Sequence, residues 1–473
     1  MSLMLTTLSF IFSFISNFGD TYAGPTKQLC RPEQRDVLLE FKNEFEIPNS
    51  HDSFPPPMKS WRYNRDCCDW DGITCDPKSG QVIKLDLSYS LHGWFHSNTS
   101  LLKLKNLPFL NSLSLSYNNL SGEVLSSIGN LSHLTFLDLS NNLFSGGIPF
   151  SIGNLSHLTF LDLSDNDFKG EISSLTENLP HLTTLSLSDN NFDGKIPFSI
   201  GKLSLLTTLD LDHNYFDGEI PSSMVKLSHL TSLSFFGNKL FTGILPTNIN
   251  SLSHLEYFDA SVNSFVGTPP SALFAIPSVT EIYLSDNLFS GTLEIGNVSS
   301  SSKLDVLHLD NNNLRGPFPR SISKLANLQT LGISNFNIQG PVDFSMFSHI
   351  KGLRQLYMSH LNTTTTIDLN AVLSLYLKSI SRLVLSGNHV STTNKSSVAN
   401  QRLECLQDLD LSDCGITEFP EILRSQQLGM IYLDISNNKI KGQVPAWLWT
   451  RILRVCLSLV LKYQQNQLCG NHW

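Results

Sequence analysis

The chain is organised by one nine-residue pattern, seen most clearly in Leu134-Thr135-Phe136-Leu137-Asp138-Leu139-Ser140-Asn141-Asn142. Leu137 and Leu139 alternate with Asp138 and Ser140, the period of a strand with one buried face. The pattern returns at residues 158–166, 182–190 and 206–214. Its final Asn recurs at Asn118, Asn142, Asn166, Asn190, Asn214 and Asn238, 24 residues apart, and continues through Asn263, Asn287, Asn312, Asn388 and Asn438. With degenerate turns at Ser90, Phe336, Leu361 and Cys414 the array comprises about fifteen coils. A single coil cannot bury its leucines; stacked coils share one apolar column. Strands of adjacent coils lie about 4.8 Å apart, so the array is on the order of 70 Å long. The predicted fold is an α/β solenoid, with a parallel sheet on the concave face and short 3-10 or helical turns on the convex face.

The recurrent Asn turns the chain inward, where its amide donates to and accepts from turn backbone. Left unpaired, those buried groups would cost about 1–3 kcal/mol each, so the Asn column is assigned to structure. A second signature follows it: Phe144-Ser145-Gly146-Gly147-Ile148-Pro149, echoed by Gly194-Lys195-Ile196-Pro197 and Gly218-Glu219-Ile220-Pro221. Gly permits the tight turn and Pro sets φ. Leu155 and Leu203 are expected to pack the convex side.

Composition agrees. Leucine is about one residue in six of 473, which favours a repeat array over three separate globules. Lys+Arg is 32 against Asp+Glu 41, a net charge of −9, so nucleic-acid binding through phosphates is not expected. Residues 3–18 are apolar apart from Ser, Thr and one Asn, and Thr21-Tyr22-Ala23 follows; this reads as a secretory signal over residues 1–23, cleaved after Ala23. Residues 24–80 form a cysteine-bearing cap and 81–449 the repeats, irregular over 332–397. After Trp449 the pattern is lost, and residues 450–473 read as an aberrant tail. Its apolar run carries Arg451 and Arg454 and is too short for a membrane span, so the chain as read is exported and unanchored.

Residues 142–149 resemble the plant-type leucine-rich repeat. Asp66-Cys67-Cys68-Asp69-Trp70-Asp71-Gly72-Ile73-Thr74-Cys75, with Leu38-Leu39-Glu40-Phe41-Lys42 after Cys30, resembles the N-terminal cap of plant cell-surface receptors. The chain is similar to the receptor-like proteins of plant defence, which carry such an ectodomain and one membrane span but no kinase. The resemblance implies non-catalytic recognition of an extracellular peptide, glycan or protein, signalling in defence or development through a co-receptor kinase, and disulfides Cys30–Cys67 and Cys68–Cys75. It also implies a membrane anchor and further repeats in full-length relatives, so the chain reads as C-terminally truncated. The alternative is a secreted protein like the polygalacturonase inhibitors, or a truncated decoy that does not signal.

Eight cysteines in an exported chain make disulfides the default; compartment and spacing argue against zinc. Cys414 occupies the Asn position of its coil. Cys405 lies at the far end of the same strand, too distant to bond to it. Cys456 and Cys469 fall in the tail. No nucleotide loop survives: around Gly201-Lys202 the spacing is wrong and Leu203 stands where Ser or Thr is required. Asp189-Asn190-Asn191-Phe192-Asp193-Gly194 begins like a calcium loop but ends on Ile200 rather than an acid. No cofactor and no enzymatic activity are expected.

What varies between coils is what faces out of the sheet: Tyr117, Phe136, Phe160, Asp189, Asp210, Asp212, His213, Phe236, Tyr257, Tyr283, His308 and Tyr357. Aromatics flanked by acids on a curved face suit ligand recognition, although Asp at positions 138, 162 and 210 belongs to the repeat itself. His133, His157, His181, His229 and His254 form a rim column, explained by repeat duplication with a minor pH-sensing role as the alternative. Phe336, Leu361 and Asn362-Thr363-Thr364-Thr365-Thr366 interrupt regularity, read as repeats that alter curvature rather than as a protruding loop. Seven sequons mark candidate glycans: Asn98, Asn119, Asn130, Asn154, Asn297, Asn362 and Asn394. Asn130 and Asn154 share a convex position. Asn119, beside the ladder Asn118, is expected to be the least used.

Overall fold

The computed structural model describes residues 30–45, 57–94, 103–123, 126–299, 301–392, 405–425, 430–443, 445–446, 458–460 and 467–468. The expected leader, Asn98, Asn394, Cys456 and Cys469 lie outside the described residues.

The cap forms first along the chain. Pro32 opens the helix Pro32–Lys42, where its missing N–H costs nothing. Leu38 and Phe41 on that helix are fully buried. Cys30 pairs with Cys67 and Cys68 with Cys75, with Cα–Cα distances of 5.6 and 5.5 Å. Trp61 stacks on Trp70 at 5.3 Å and donates its indole N–H to the Asp71 carbonyl. Strand Ile73–Cys75 runs antiparallel to Val82–Asp86, so the first coil presents no open sheet edge. Buried Gln34 accepts from the Val82 N–H at 3.1 Å, tying the helix to that coil.

From Val82–Asp86 onward the strands are parallel. The sheet has 17 strands, one from the cap and the rest one per coil. Registers repeat without a slip: Leu113 faces Leu137, Leu137 faces Leu161, Leu161 faces Leu185, and Leu185 faces Leu209. These leucines are fully buried, each worth about 1.5–3 kcal/mol. The last strand, Ser458–Val460, pairs in register with Tyr432–Asp434. The sheet thus extends one strand into the segment read as an aberrant tail. Leu457-Ser458-Leu459-Val460 keeps the strand alternation although Arg451 and Arg454 precede it and no ladder Asn follows.

A second sheet lines the flank after the Asn turn, from His92–Trp94 through Asn119–Glu123, Leu143–Gly146, Asp167–Gly170, Asn191–Lys195 and Tyr215–Gly218 to Leu240–Phe241. The convex side carries short 3-10 turns such as Phe150–Asn154, Phe198–Lys202 and Ser222–Lys226. Between the sheets runs a spine that the leucine pattern does not disclose. Phe144, Phe168, Phe192, Phe216, Phe241, Phe265 and Phe289 are buried and stack successively at 5.9–6.2 Å.

The Asn ladder closes the polar accounting. The Asn166 amide donates to the carbonyls of Leu139, Leu163 and Ser164 at 3.0, 3.2 and 3.0 Å, and its oxygen accepts from the Phe144 N–H at 2.9 Å. Cys414 does part of this work, its thiol lying 3.2 Å from the Leu385 carbonyl. Lacking an amide oxygen, it leaves the Val390 N–H to take the Cys414 main-chain carbonyl at 3.1 Å instead. Burial pushes the thiol up to about 12. Cys405 and Cys414 are both free thiols.

Within 332–397 the concave strands Gln355–Tyr357 and Arg382–Val384 keep register. Extra residues go into helical turns at Leu369–Ala371 and Val372–Tyr376, whose Leu369, Val372 and Leu373 are buried.

Candidate functional site

The concave face is built from three outward columns. In the coil of strand Phe136–Asp138 they are Phe136, Asp138 and Ser140. The Asp138 carboxylate accepts the Ser140 N–H at 3.0 Å and its hydroxyl at 2.7 Å. Asp162 and Asp410 do the same for Ser164 and Ser412. This acid column is therefore scaffold, and the third column lies deeper, with Ser140 and Ser164 buried and Ser412 half-buried.

The sequence candidates separate into groups. Phe136 and Phe160 occupy the first column and stack at 4.4 Å. Tyr257 sits in that column several coils later, and Tyr283, His308 and Tyr357 occupy the second. These four rings are contiguous: Tyr257 to Tyr283 is 5.7 Å, Tyr283 to His308 5.6 Å, and His308 to Tyr357 5.7 Å. The last step spans a whole coil, whose residue in this column is Gly332. A Cβ there would collide with His308 Nδ1 and the Asp310 carboxylate, so glycine lets the two rings meet. Each tyrosine hydroxyl is tied within its own strand, Tyr257 to Asp259 at 3.3 Å, Tyr283 to Glu281 at 2.8 Å and Tyr357 to Gln355 at 2.8 Å. Burial, reinforced by these acids, raises the Tyr257 and Tyr283 hydroxyls well above the ordinary phenol range. The Tyr257 and Tyr283 rings are thus neutral and held in place.

Asp212 and Phe236 lie in the third column. Phe236 follows Ser234, which cannot cap its N–H as an aspartate would, and Asp212 of the preceding coil accepts that N–H at 2.7 Å. Burial first, and the neighbouring Asp210 charge next, push the Asp212 carboxyl up to about 7. Asp310 plays the same part for Ser334 after Gly332, at 2.7 Å, while holding His308 at 2.9 Å.

Tyr117, Asp189 and His213 are not on the strand face. They occupy the bend before the ladder Asn, with φ of 54°, 53° and 48°. Asn and Asp tolerate this left-handed position best, which explains Asp189 structurally. His213 meets Phe236 edge-on at 4.7 Å. Tyr117 stacks instead on Tyr89 at 4.7 Å, a residue the sequence reading left out.

Beyond Tyr357 the face sinks into a hollow of about 560 Å³, lined by Tyr357, Arg382, Val384, Gln407, Asp408, Asp410, Ile431 and Tyr432. Arg382 binds the Asp408 carboxylate at 2.5 and 2.7 Å and donates to the Tyr357 hydroxyl at 3.3 Å. Except for Tyr357, the sequence reading missed these residues. Opposite charges at equivalent positions of successive coils, Arg382 and Asp408, were the available signal.

Part of the histidine rim is a stack. His229 and His254 lie 6.3 Å apart, each ring Nδ1 2.9 Å from a carbonyl of the preceding coil. Among the described residues the one grouping with metal-ligand proximity is Cys30, Asp66, Cys67 and Cys68. Its sulfurs are committed to disulfides, and Asp66 caps the Cys30 and Cys68 N–H groups at 3.0 Å. Asn119, Asn130, Asn154, Asn297 and Asn362 are all exposed. No helix among the described residues is long and apolar enough to cross a membrane.

Known proteins agree with this architecture. The leucine rich repeat N-terminal domain family matches residues 31–76, and leucine rich repeat families match 302–363 and, among others, 109–131, 133–155, 181–203 and 205–227. Receptor-like protein 33 of Arabidopsis thaliana is 65% identical over 451 residues, covering 95% of this chain and 51% of the relative. Receptor-like protein 35 of the same plant is 63% identical over 506 residues, covering 94% and 53%. The crystal structure of the Arabidopsis receptor kinase HAESA with a peptide hormone and a co-receptor superposes with a TM-score of 0.63 at 25% identity, covering 93% of this chain and 82% of that one. These relatives favour a receptor over a pectinase inhibitor. The chain spans about half the length of the curated relatives it matches, and it belongs to the plant leucine-rich-repeat receptor-like proteins.

Proposed function

We propose that this chain is the extracellular recognition part of a cell-surface receptor-like protein, and that it takes a peptide or a protein segment along its concave face. The reading rests on one observation above all: the ring column Tyr257–Tyr283–His308–Tyr357, pre-set by hydroxyl bonds and leading into the hollow beside Arg382. The scaffold does not require aromatic rings there, since Asp serves at the second column in other coils and Thr184, Thr208 and Ser232 at the first. Pre-set aromatics lower the ordering cost of binding and are the residue types that carry interface energy. HAESA, of like fold, holds a peptide hormone together with a co-receptor. By that parallel the binding event here is relayed through a partner kinase in defence or development, without catalysis by this chain.

The test is selection of a displayed random peptide library on the secreted protein. Enriched peptides should lose at least tenfold in affinity when Tyr257 and Tyr283 are both replaced by Ala, with an unchanged melting temperature. Enrichment that survives the double substitution would move the site elsewhere.

A further inference from the structure

The chain's N-terminal flank carries an arrangement that peptide recognition does not use. Tyr89 and Tyr117 both stand in the left-handed region, with φ of 57° and 54°. For a bulky side chain that conformation costs on the order of 1–2 kcal/mol. Elsewhere the same bend is mostly filled by Asn, Asp or His: Asn141, Asp165, Asp189, His213, Asp286, Asn311, Asn335, His360, Asp413 and Asn437. The two tyrosines are also unusually bare, 66% and 49% exposed, yet they stack on each other at 4.7 Å and 13°. Strained, solvent-facing rings held in one plane direction call for an occupant.

The surroundings identify its chemistry. The pair borders a shallow hollow of about 390 Å³ whose other walls are Asn118, Asn119, Asn141, Asn142, Leu143 and Asp165. Amides, one carboxylate, one aliphatic side chain and aromatic rings form the mixed lining that suits a sugar: C–H faces against the rings, hydroxyl and acetamido groups against the amides and the acid. Asn119 stands in this lining and is itself the acceptor of the sequon Asn119-Leu120-Ser121. It is exposed at the start of strand Asn119–Glu123, and its side chain makes no hydrogen bond to the described residues. Its neighbour Asn118 points inward, donating to the Leu87 and Leu115 carbonyls at 3.0 and 2.7 Å. Strand alternation therefore turns Asn119 out, and proximity to the ladder does not bury it.

We infer that Asn119 carries an N-linked glycan whose first N-acetylglucosamine packs against the Tyr117–Tyr89 stack and fills this hollow. The linkage forms between the Asn119 amide nitrogen and the sugar's anomeric carbon, transferred from the lipid-linked oligosaccharide of the secretory pathway with release of its dolichyl diphosphate. The tethered sugar reaches the hollow at high effective concentration, which favours it over a free saccharide of the same chemistry. The glycan covers the N-terminal flank and leaves the Tyr257–Tyr357 column open.

The experiment uses the full chain secreted from plant cells. Glycopeptide mass spectrometry reads occupancy at Asn119, Asn130, Asn154, Asn297 and Asn362. Melting curves then compare the protein with Asn119→Gln and with Ser121→Ala, which removes the sequon but keeps the asparagine, each in the natural and the Tyr117→Asn background. The expected result is Asn119 occupied in most molecules. Either sequon-removing change should lower the melting temperature by about 1–2 °C when Tyr117 is present and by nothing when it is replaced by Asn, a coupling that a purely structural asparagine would not show. Asn119 empty while Asn130 and Asn154 are occupied overturns the assignment, as does an occupied Asn119 without coupling to Tyr117. Every sequon empty overturns it together with the export of the chain. Chitotriose raising the melting temperature of natural protein with an empty Asn119 assigns the hollow to a free sugar instead and equally overturns it.

Discussion

Replacing Asp212 by Asn should make the protein more stable at neutral pH, although an acid on a receptor's concave face is normally read as functional. The Asp212 carboxyl is raised from 3.8 to about 7, by burial first and the Asp210 charge second. Between those two values the folded chain keeps the proton and the unfolded chain has released it. The folded state therefore binds more protons, and stability falls as pH rises from about 4 to 7. At about 1.4 kcal/mol per unit, three units amount to on the order of 4 kcal/mol if this carboxyl titrates alone. Asn has the same shape and keeps an oxygen for the Phe236 N–H that Asp212 now holds at 2.7 Å. The two proteins should be nearly equal at about pH 4, and the advantage of the variant should grow to a few kcal/mol by pH 8. Stacked coils need not unfold as one unit, so calorimetry at pH 4, 6 and 8 is best joined to hydrogen exchange at the Phe236 amide. Asp162 and Asp259 are raised by burial as well, but they act in both proteins and cancel in the difference. Parallel pH curves for the two proteins would refute the reasoning.

Three further outcomes follow from the same geometry. Asn190→Ala removes amide bonds to the Leu163, Leu187 and Ser188 carbonyls and leaves the Phe168 N–H without its 3.0 Å acceptor; urea unfolding should register a loss of about 3 kcal/mol or more. Val262 is β-branched at φ 55°, so Val262→Asn should stabilise by about 1 kcal/mol in the same assay. Gly332→Ala places a methyl group against His308 and the Asp310 carboxylate; it should displace the His308 ring and weaken captured peptides at least tenfold, with a melting temperature lowered by no more than a few degrees.

Much of this molecule was legible in the leucines and asparagines. Leu137 and Leu139 announce an inward face, Asn142 a turn, and the 24-residue spacing a stack, because each duty admits few residue types. The phenylalanine spine was harder to see. Phe144 and Phe168 lie just past the ladder Asn, where the text of the repeat looks like a turn signature, and only the second sheet shows that one side of that turn is buried. The candidate residues were legible as outward variation, but their grouping was not. Tyr117 and Asp189 follow the strand by only a few residues, yet the left-handed bend carries them off its face. Arg382 and Tyr432 went unnoticed because the stretch before them is irregular in sequence, while the strands themselves keep register.

The concave face depends on compensation between coils. An aspartate in the second column normally caps the N–H two residues on, so replacing it with a ligand-facing residue leaves that N–H needing an acceptor. In the coil of Ser234 and Phe236 the acceptor comes from Asp212, in the coil of Gly332 and Ser334 from Asp310, and in the coil of Tyr357 and Ser359 from the Ser334 hydroxyl at 3.2 Å. In each case it is supplied by the third column of the coil before. That column holds Ser in most coils and acid at Asp212 and Asp310, where the following coil has lost its own. Phe236 after Ser234 and Ser334 after Gly332 are thus matched by an acid in the preceding coil. Exchanging one coil alone across the Asp310–Ser334 step would leave the half-buried Ser334 N–H without its 2.7 Å acceptor, at a cost of up to about 1–3 kcal/mol.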